Sequence, residues 1–132
     1  SAVLAIDLDH FKAVNDTFGH ACGDAVLVHV ASMMAESIRP ADVVARSGGE
    51  EFAVLLTDTT PNGAIALAER LRAAIEEHPT FHDGREIRAT ASIGLTLIAN
   101  ADITGVDVLA RADQAMYDAK RAGRNAVKAD WL

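Results

Sequence analysis

The chain has 132 residues, half of them apolar and 23% charged, with a formal net charge of −7 and a single cysteine. Such a composition suits one domain with a real core and excludes a disordered polypeptide, an internal disulfide and a general binder of nucleic-acid polymers or anionic membranes. There is no signal peptide and no run of roughly 18 apolar residues, so the expectation is a cytoplasmic domain that makes no membrane contact itself.

Ala2 to Ile6 is a run of apolar residues bounded by polar ones, which predicts a buried strand. Asp7-Leu8-Asp9 ends it, and the two-residue period places Asp7 and Asp9 on one face. Carboxylates there are turn formers or, beside a second acidic site, ligands for a hard cation. Phe11 and Val14 are spaced for one helix face and are core by default, whereas Lys12 points elsewhere, to solvent or to a phosphate. A helix is predicted from Asp24 to Ser37, with Asp24 as its N-cap and Val26, Leu27, Val30, Met33 and Met34 inward. Cys22 reads as a small core residue, and His29 as a surface or satisfied histidine. Pro40 stops the helix. Arg39 and Asp42, three apart in the connecting loop, have the spacing of a solvated ion pair.

Val43 to Leu56 holds two apolar, β-branched runs around Gly48-Gly49, which predicts an antiparallel hairpin. The glycines permit positive φ and a close approach to the backbone. Glu50 and Glu51 follow at once, and strand alternation forbids both from facing the core. Thr60 and Pro61 read as N-cap and first residue of a helix over Ala64 to Glu77, with Ile65, Ala68, Leu71, Ala74 and Ile75 inward. Asp83-Gly84 is a turn signal, and His82 lies in that loop without a partner at ligand spacing. Ile87 to Leu97 alternates as a strand with one dry face. Asn100 to Asp107 is a polar connection, with Asp107 capping a last helix whose stripe is Val108, Leu109, Ala112, Ala115, Met116 and Ala119. Lys120, Arg121 and Arg124 cluster at its end, where cations complement the helix dipole, and Gly123 stops it. Asn125 to Lys128 is a final strand. The order strand, helix, hairpin, helix, strand, helix, strand predicts an α+β domain with helices on a largely antiparallel sheet.

From Asp7-Leu8-Asp9-His10-Phe11-Lys12, through Gly48-Gly49-Glu50-Glu51-Phe52, to Gly123-Arg124-Asn125-Ala126, the chain resembles the GGDEF family in its Glu-for-Asp variant. That family comprises diguanylate cyclases, which condense two GTP into cyclic di-GMP. The resemblance implies a fold related to nucleotide cyclase catalytic domains and polymerase palms, one such domain over 1–132, and a further helix upstream that this sequence lacks. It also implies upstream sensory or signalling parts, one of which could anchor the full protein in a membrane. One departure is Ser47, where family members usually carry a large or aromatic residue; altered packing is the expected consequence.

Residue by residue, the resemblance implies metal ligation by Asp7, the Leu8 carbonyl, Glu50 and Glu51, with Mg²⁺ as the ion and Mn²⁺ as the alternative. It places GTP at Phe11, Asn15, His20, Asp24, Gly48 and Gly49, with the base at Asn15 and Asp24 and the triphosphate at Lys120 and Arg124. The guanine edge offers N–H donors and O6 and N7 acceptors, and an Asp with an Asn complements it. Glu50 and Lys12 are the candidate catalytic groups, as proton acceptor and as a cation for developing phosphate charge. Arg39 and Asp42 match the family's Arg-x-x-Asp inhibitory motif, which binds the cyclic di-GMP product. Because one domain holds one GTP, catalysis requires a homodimer. The rivals are a catalytically silent receptor for cyclic di-GMP or GTP, and a metal-dependent phosphatase or nuclease. The four residues Asp7, Lys12, Glu50 and Glu51 speak against the first; Asn15 with Asp24, and the net charge, speak against the second.

Overall fold

A computed structural model describes residues 1–99 and 105–132. Strand β1 (Ala2–Leu8) is buried along its whole length because it is the middle strand of a five-stranded sheet. It pairs antiparallel with β3 (Glu51–Leu56) on one side and β6 (Ala91–Leu97) on the other. Beyond β3 lies β2 (Val43–Arg46), antiparallel, and beyond β6 lies β7 (Val127–Ala129), parallel. The predicted α+β architecture is therefore the observed one.

Alternation along β1 divides the core. Ala2, Leu4, Ile6 and Leu8 join the larger cluster, which is completed by helices α2 (His20–Ser37) and α3 (Pro61–Glu77). Val3 and Ala5 face the opposite way and meet Val108, Ala112 and Met116 of α4 (Gly105–Arg121). Helix α4 lies so close to β6 that a Cβ on Gly94 would fall 2.1 Å from the Met116 backbone nitrogen. Helix α1 (Phe11–Phe18) links β1 to α2, and its buried residues are Phe11 and Val14, the two whose spacing marks them as core. Thr60 caps α3 as its sequence predicts: its hydroxyl accepts from the Gly63 N–H at 3.0 Å, with Pro61 as the first helical residue. Asp83 and Gly84 sit at φ 50 and 72 in the turn between β4 (Thr80–His82) and β5 (Arg85–Ile87), a separate two-stranded sheet.

Several boundaries differ from the sequence pattern. Helix α2 starts at His20, so Asp24 is an exposed residue one turn inside it and not its N-cap; Gly19, at φ 91, makes the break from α1. The run from Ile87 to Leu97 is two strands, and β6 is buried on both faces, because α3 and α4 cover it from opposite sides. The alternation that suggested one dry face comes from small residues, Ala91, Ser92 and Gly94, that let helices approach. Helix α4 begins at Gly105, which puts Asp107 in its first turn and ends the predicted connection three residues early; positions 100–104 lie outside the described residues. Asp9 follows the end of β1, so the strand period does not carry over to it. Among the described residues no helix is long and apolar enough to cross a membrane.

Candidate active site

The edge of the sheet where β1 ends and β3 begins gathers acidic groups. Pairing puts Asp7 directly opposite Glu51, and the two side chains share the face that α4 covers. Like charges opposite one another across a strand pair are destabilising. Lys120, near the end of α4, partly offsets this: its ammonium lies 2.5 Å from Asp7 Oδ2. Asp7 is 3% exposed. Burial pushes its carboxyl above the ordinary aspartate value; the Lys120 hydrogen bond and charge pull it down without cancelling the rise, and Glu50 adds to it. Burial also raises the Glu51 carboxyl, followed by the charges of Asp7 and of Asp113 on α4.

Glu50 is half-buried in the turn, and its carbonyl accepts from the Leu8 N–H at 3.3 Å. Neither Gly48 nor Gly49 has positive φ, contrary to the freedom their sequence suggests. The loop is longer than a two-residue turn: Arg46 pairs with Phe52, and both Ser47 and Gly48 donate to the Glu51 carbonyl. The second role of the glycines is the one retained, since a Cβ on Gly49 would meet nothing within 4 Å and the backbone lies open to a ligand. Arg46 holds the loop from beneath, its Nε donating to the Gly48 and Gly49 carbonyls at 3.2 and 2.9 Å. Ser47 is exposed and leaves the core packing untouched.

On the other side of β1, Asn15 of α1 lies against α2. A Cβ at Gly23 would fall 1.8 Å from Asn15 Oδ1 and 3.2 Å from the Phe11 ring, so only glycine admits this contact. Asn15 is half-buried there, next to exposed Asp24, with His20 exposed at the start of α2 and Lys12 exposed on α1. Phe11 is buried, as a floor and not a wall.

Arg39 and Asp42 are far from a solvated pair. The Asp42 side chain is 2% exposed and both its oxygens are engaged. Oδ1 accepts from the Thr57 N–H at 3.0 Å, and Oδ2 from the Arg39 N–H and Nε at 3.1 and 3.3 Å. The Arg39 guanidinium also donates to the Thr57 carbonyl. Burial works against the Asp42 charge, but the hydrogen bonds from Thr57 and Arg39 outweigh it and hold the carboxyl below its ordinary value.

The structure thus brings Asp7, Leu8, Glu50, Glu51 and Lys120 together, sets Asn15 beside Asp24 on a neighbouring surface, and places Arg39 and Asp42 at the opposite end of β3. Among the described residues no three acidic, histidine or cysteine side chains converge tightly enough to hold a metal alone. The donor set fits Mg²⁺ nonetheless: hard oxygens, one or two carboxylates, and an ammonium already drawn to the place where positive charge is wanted. Sequence reasoning missed Arg46, Gly23 and Thr57. Gly23 carried a signal, a helix-interior glycine, while the other two depend on register.

The domain is α+β, with helices on both faces of a largely antiparallel sheet and acidic groups gathered at a strand end and hairpin turn. The chain belongs to the GGDEF family: the family described as "Diguanylate cyclase, GGDEF domain" matches residues 1–126. It is similar to diguanylate cyclase A of Treponema denticola, at 46% identity over 96% of this chain and 34% of that protein. Among solved structures it is similar to the GGDEF domain of DgcB from Caulobacter crescentus in complex with c-di-GMP: TM-score 0.93, 33% identity, 99% of this chain and 78% of that one. It is likewise similar to the active GGEEF domain of a diguanylate cyclase from Vibrio cholerae: TM-score 0.87, 37% identity, 97% of this chain and 83% of that one. The chain spans about a third or less of the length of the first curated relatives it matches.

Proposed function

We propose that this domain is a diguanylate cyclase that condenses two GTP to cyclic di-GMP and two pyrophosphates. The observation that carries the reading is the Asp7–Glu51 pair, two like charges held opposite each other at partly desolvated positions with only Lys120 between them and neutrality. Such an arrangement costs stability and is explained by a cationic ligand. The relatives named diguanylate cyclases, and a neighbour solved with c-di-GMP, support the same chemistry.

In this reading Asp7, the Leu8 carbonyl, Glu50 and Glu51 hold Mg²⁺, or Mn²⁺ in its place. When bound, the metal supplies positive charge against that which builds on the attacking oxygen and the α-phosphate. The chain's own residues do the rest. Asn15 and Asp24 orient guanine, and the open backbone at Gly49, beside Gly48, admits the nucleotide. Lys12, Lys120 and Arg124 neutralise the triphosphate. Glu50 accepts the proton of the 3′-hydroxyl that attacks the partner's α-phosphate. Each domain presents one GTP, so two domains face each other as a homodimer. Arg39 and Asp42 form a product site whose Arg39–Asp42–Thr57 bonds must open or be shared when the product binds.

Incubation of the domain, fused to a dimeric coiled coil, with GTP and Mg²⁺ tests this. Cyclic di-GMP is the expected product. Bound but unchanged nucleotide would replace the cyclase by a receptor, and guanosine monophosphate would replace it by a hydrolase.

A further inference from the structure

Three successive residues after α4, Gly123, Arg124 and Asn125, have φ of 119, 64 and 45. Glycine takes such a conformation freely and Asn tolerates it, but an arginine there is strained and persists only where its surroundings over-determine it. The surroundings do so through Asn125. Its N–H donates to Asp9 Oδ2 at 3.0 Å. Its side-chain oxygen accepts from Arg72 Nη1 at 2.9 Å, and its side-chain nitrogen donates to Glu76 Oε2 at 2.6 Å, both on α3. Asp9 is itself fixed, accepting from the Thr90 and Ser92 hydroxyls at 2.7 Å each. On the other side of Arg124, its own N–H is held by the Ala119 carbonyl at 3.1 Å, one residue before Lys120.

The result is a clamp on both sides of one exposed cation. Lys120 reaches Asp7 and Asn125 reaches Asp9, so the two aspartates that close β1 fix the segment bearing Arg124 at both ends. The sheet closes there without the Asn125 side chain, since the Ile93 N–H already bonds the Ala126 carbonyl. We propose that Asn125, seated by Asp9, Arg72 and Glu76, is a positioning residue that holds Arg124 in its left-handed conformation, aimed at the nucleotide's phosphates. The proposal rests on the cyclase reading for what Arg124 binds. It adds that α3, which carries no part of the site described above, sets the strength of phosphate binding through Asn125.

The test is a coupling measurement with 3′-deoxy-GTP and Mg²⁺, a substrate analogue that lacks the attacking hydroxyl. Asn125→Ala should raise its Kd about five-fold, part of the roughly ten-fold or more that a charge-assisted contact carries. In an Arg124→Ala background the same change should do nothing, because the cation it positions is gone. Glu76→Gln, an exposed change that cannot threaten the fold, gives an independent arm. Removing a negative charge would by Coulomb attraction alone tighten binding of a triphosphate, whereas loss of the clamp should weaken it about two-fold and again only when Arg124 is present. Losses that add to that of Arg124→Ala, or tighter binding in Glu76→Gln, would overturn the positioning role while leaving the cyclase reading intact. An unchanged Kd in Arg124→Ala alone would remove Arg124 from the phosphate site and overturn the positioning role with it, leaving the cyclase reading to the GTP turnover assay.

Discussion

The two ends of strand β3 lie against buried aspartates with opposite electrostatics. At its start Asp7 is 3% exposed, faces Glu51 and has Lys120 for company; at its end Asp42 is 8% exposed and accepts hydrogen bonds from Thr57 and Arg39. Burial raises both carboxyls, yet the net shift is upward for Asp7 and downward for Asp42. The number of donors decides. A backbone N–H on each oxygen and a guanidinium more than replace water at Asp42, while one ammonium against three neighbouring acids does not at Asp7. Depth alone therefore does not mark a functional carboxylate. An unbalanced one does, because the missing positive charge must come from a ligand.

The comparison is broken most severely by removing charge at the unbalanced end. Glu50→Gln should abolish cyclic di-GMP synthesis, a loss of several kcal/mol of transition-state stabilisation, with the circular dichroism spectrum unchanged. Turnover near that of the parent would take Glu50 out of the mechanism. Stability should respond the other way round. Asp42→Ala strands the Thr57 N–H and Arg39 and should cost about 1–3 kcal/mol in a denaturant titration, whereas Asp7→Asn in metal-free protein should leave stability unchanged or raise it. Equal losses at the two sites would mean that Asp7 is as well satisfied as Asp42.

Base selection sharpens the account next. Adenine offers no N1–H, so it forgoes the hydrogen bond that guanine donates to the exposed Asp24 carboxylate, roughly 1.5–3 kcal/mol for a charged acceptor. ATP competing with GTP within a factor of two would remove Asn15 and Asp24 from the base pocket. Smallest is the product site: Arg39→Ala should weaken cyclic di-GMP binding about ten-fold, since about 1.4 kcal/mol is a factor of ten, and leave the KM for GTP alone. Competitive inhibition with unchanged product affinity would place the product in the GTP site instead.

Much of this was legible in the sequence, and the reasons differ by residue. The Thr60-Pro61 helix start and the Asp83-Gly84 turn are local, so spacing suffices. The acidic cluster was legible as a set, through the motif, but its electrostatics were not: that Glu51 rather than Glu50 stands opposite Asp7 depends on a register fixed by a hairpin loop longer than the Gly-Gly pair suggests. Arg39 and Asp42 have the spacing of a solvated pair, and what takes Asp42 out of solvent is its bonding to Thr57, a residue contributed from beyond β3. Asp24 has the residue type and spacing of an N-cap, and Gly19 overrides it by starting α2 one turn earlier. Long-range partners settled the first two, and a local break at Gly19 the third.

The pH dependence follows from the same contrast. The stabilisation Asp42 contributes is complete above its unfolded value of 3.8 and is lost as pH falls through its lower folded value. Asp7 and Glu51 take up protons in the folded chain at higher pH than when unfolded, so acid relieves the fold there while it weakens cation binding. The most direct measurement is a carboxyl-carbon NMR titration of Asp7 and Asp42, with and without Mg²⁺. The account predicts that Asp7 titrates above 3.8 and Asp42 below it, and that Mg²⁺ pulls Asp7 down while Asp42 stays where it was. Asp7 titrating at or below Asp42, or a Mg²⁺ response confined to Asp42, would contradict it.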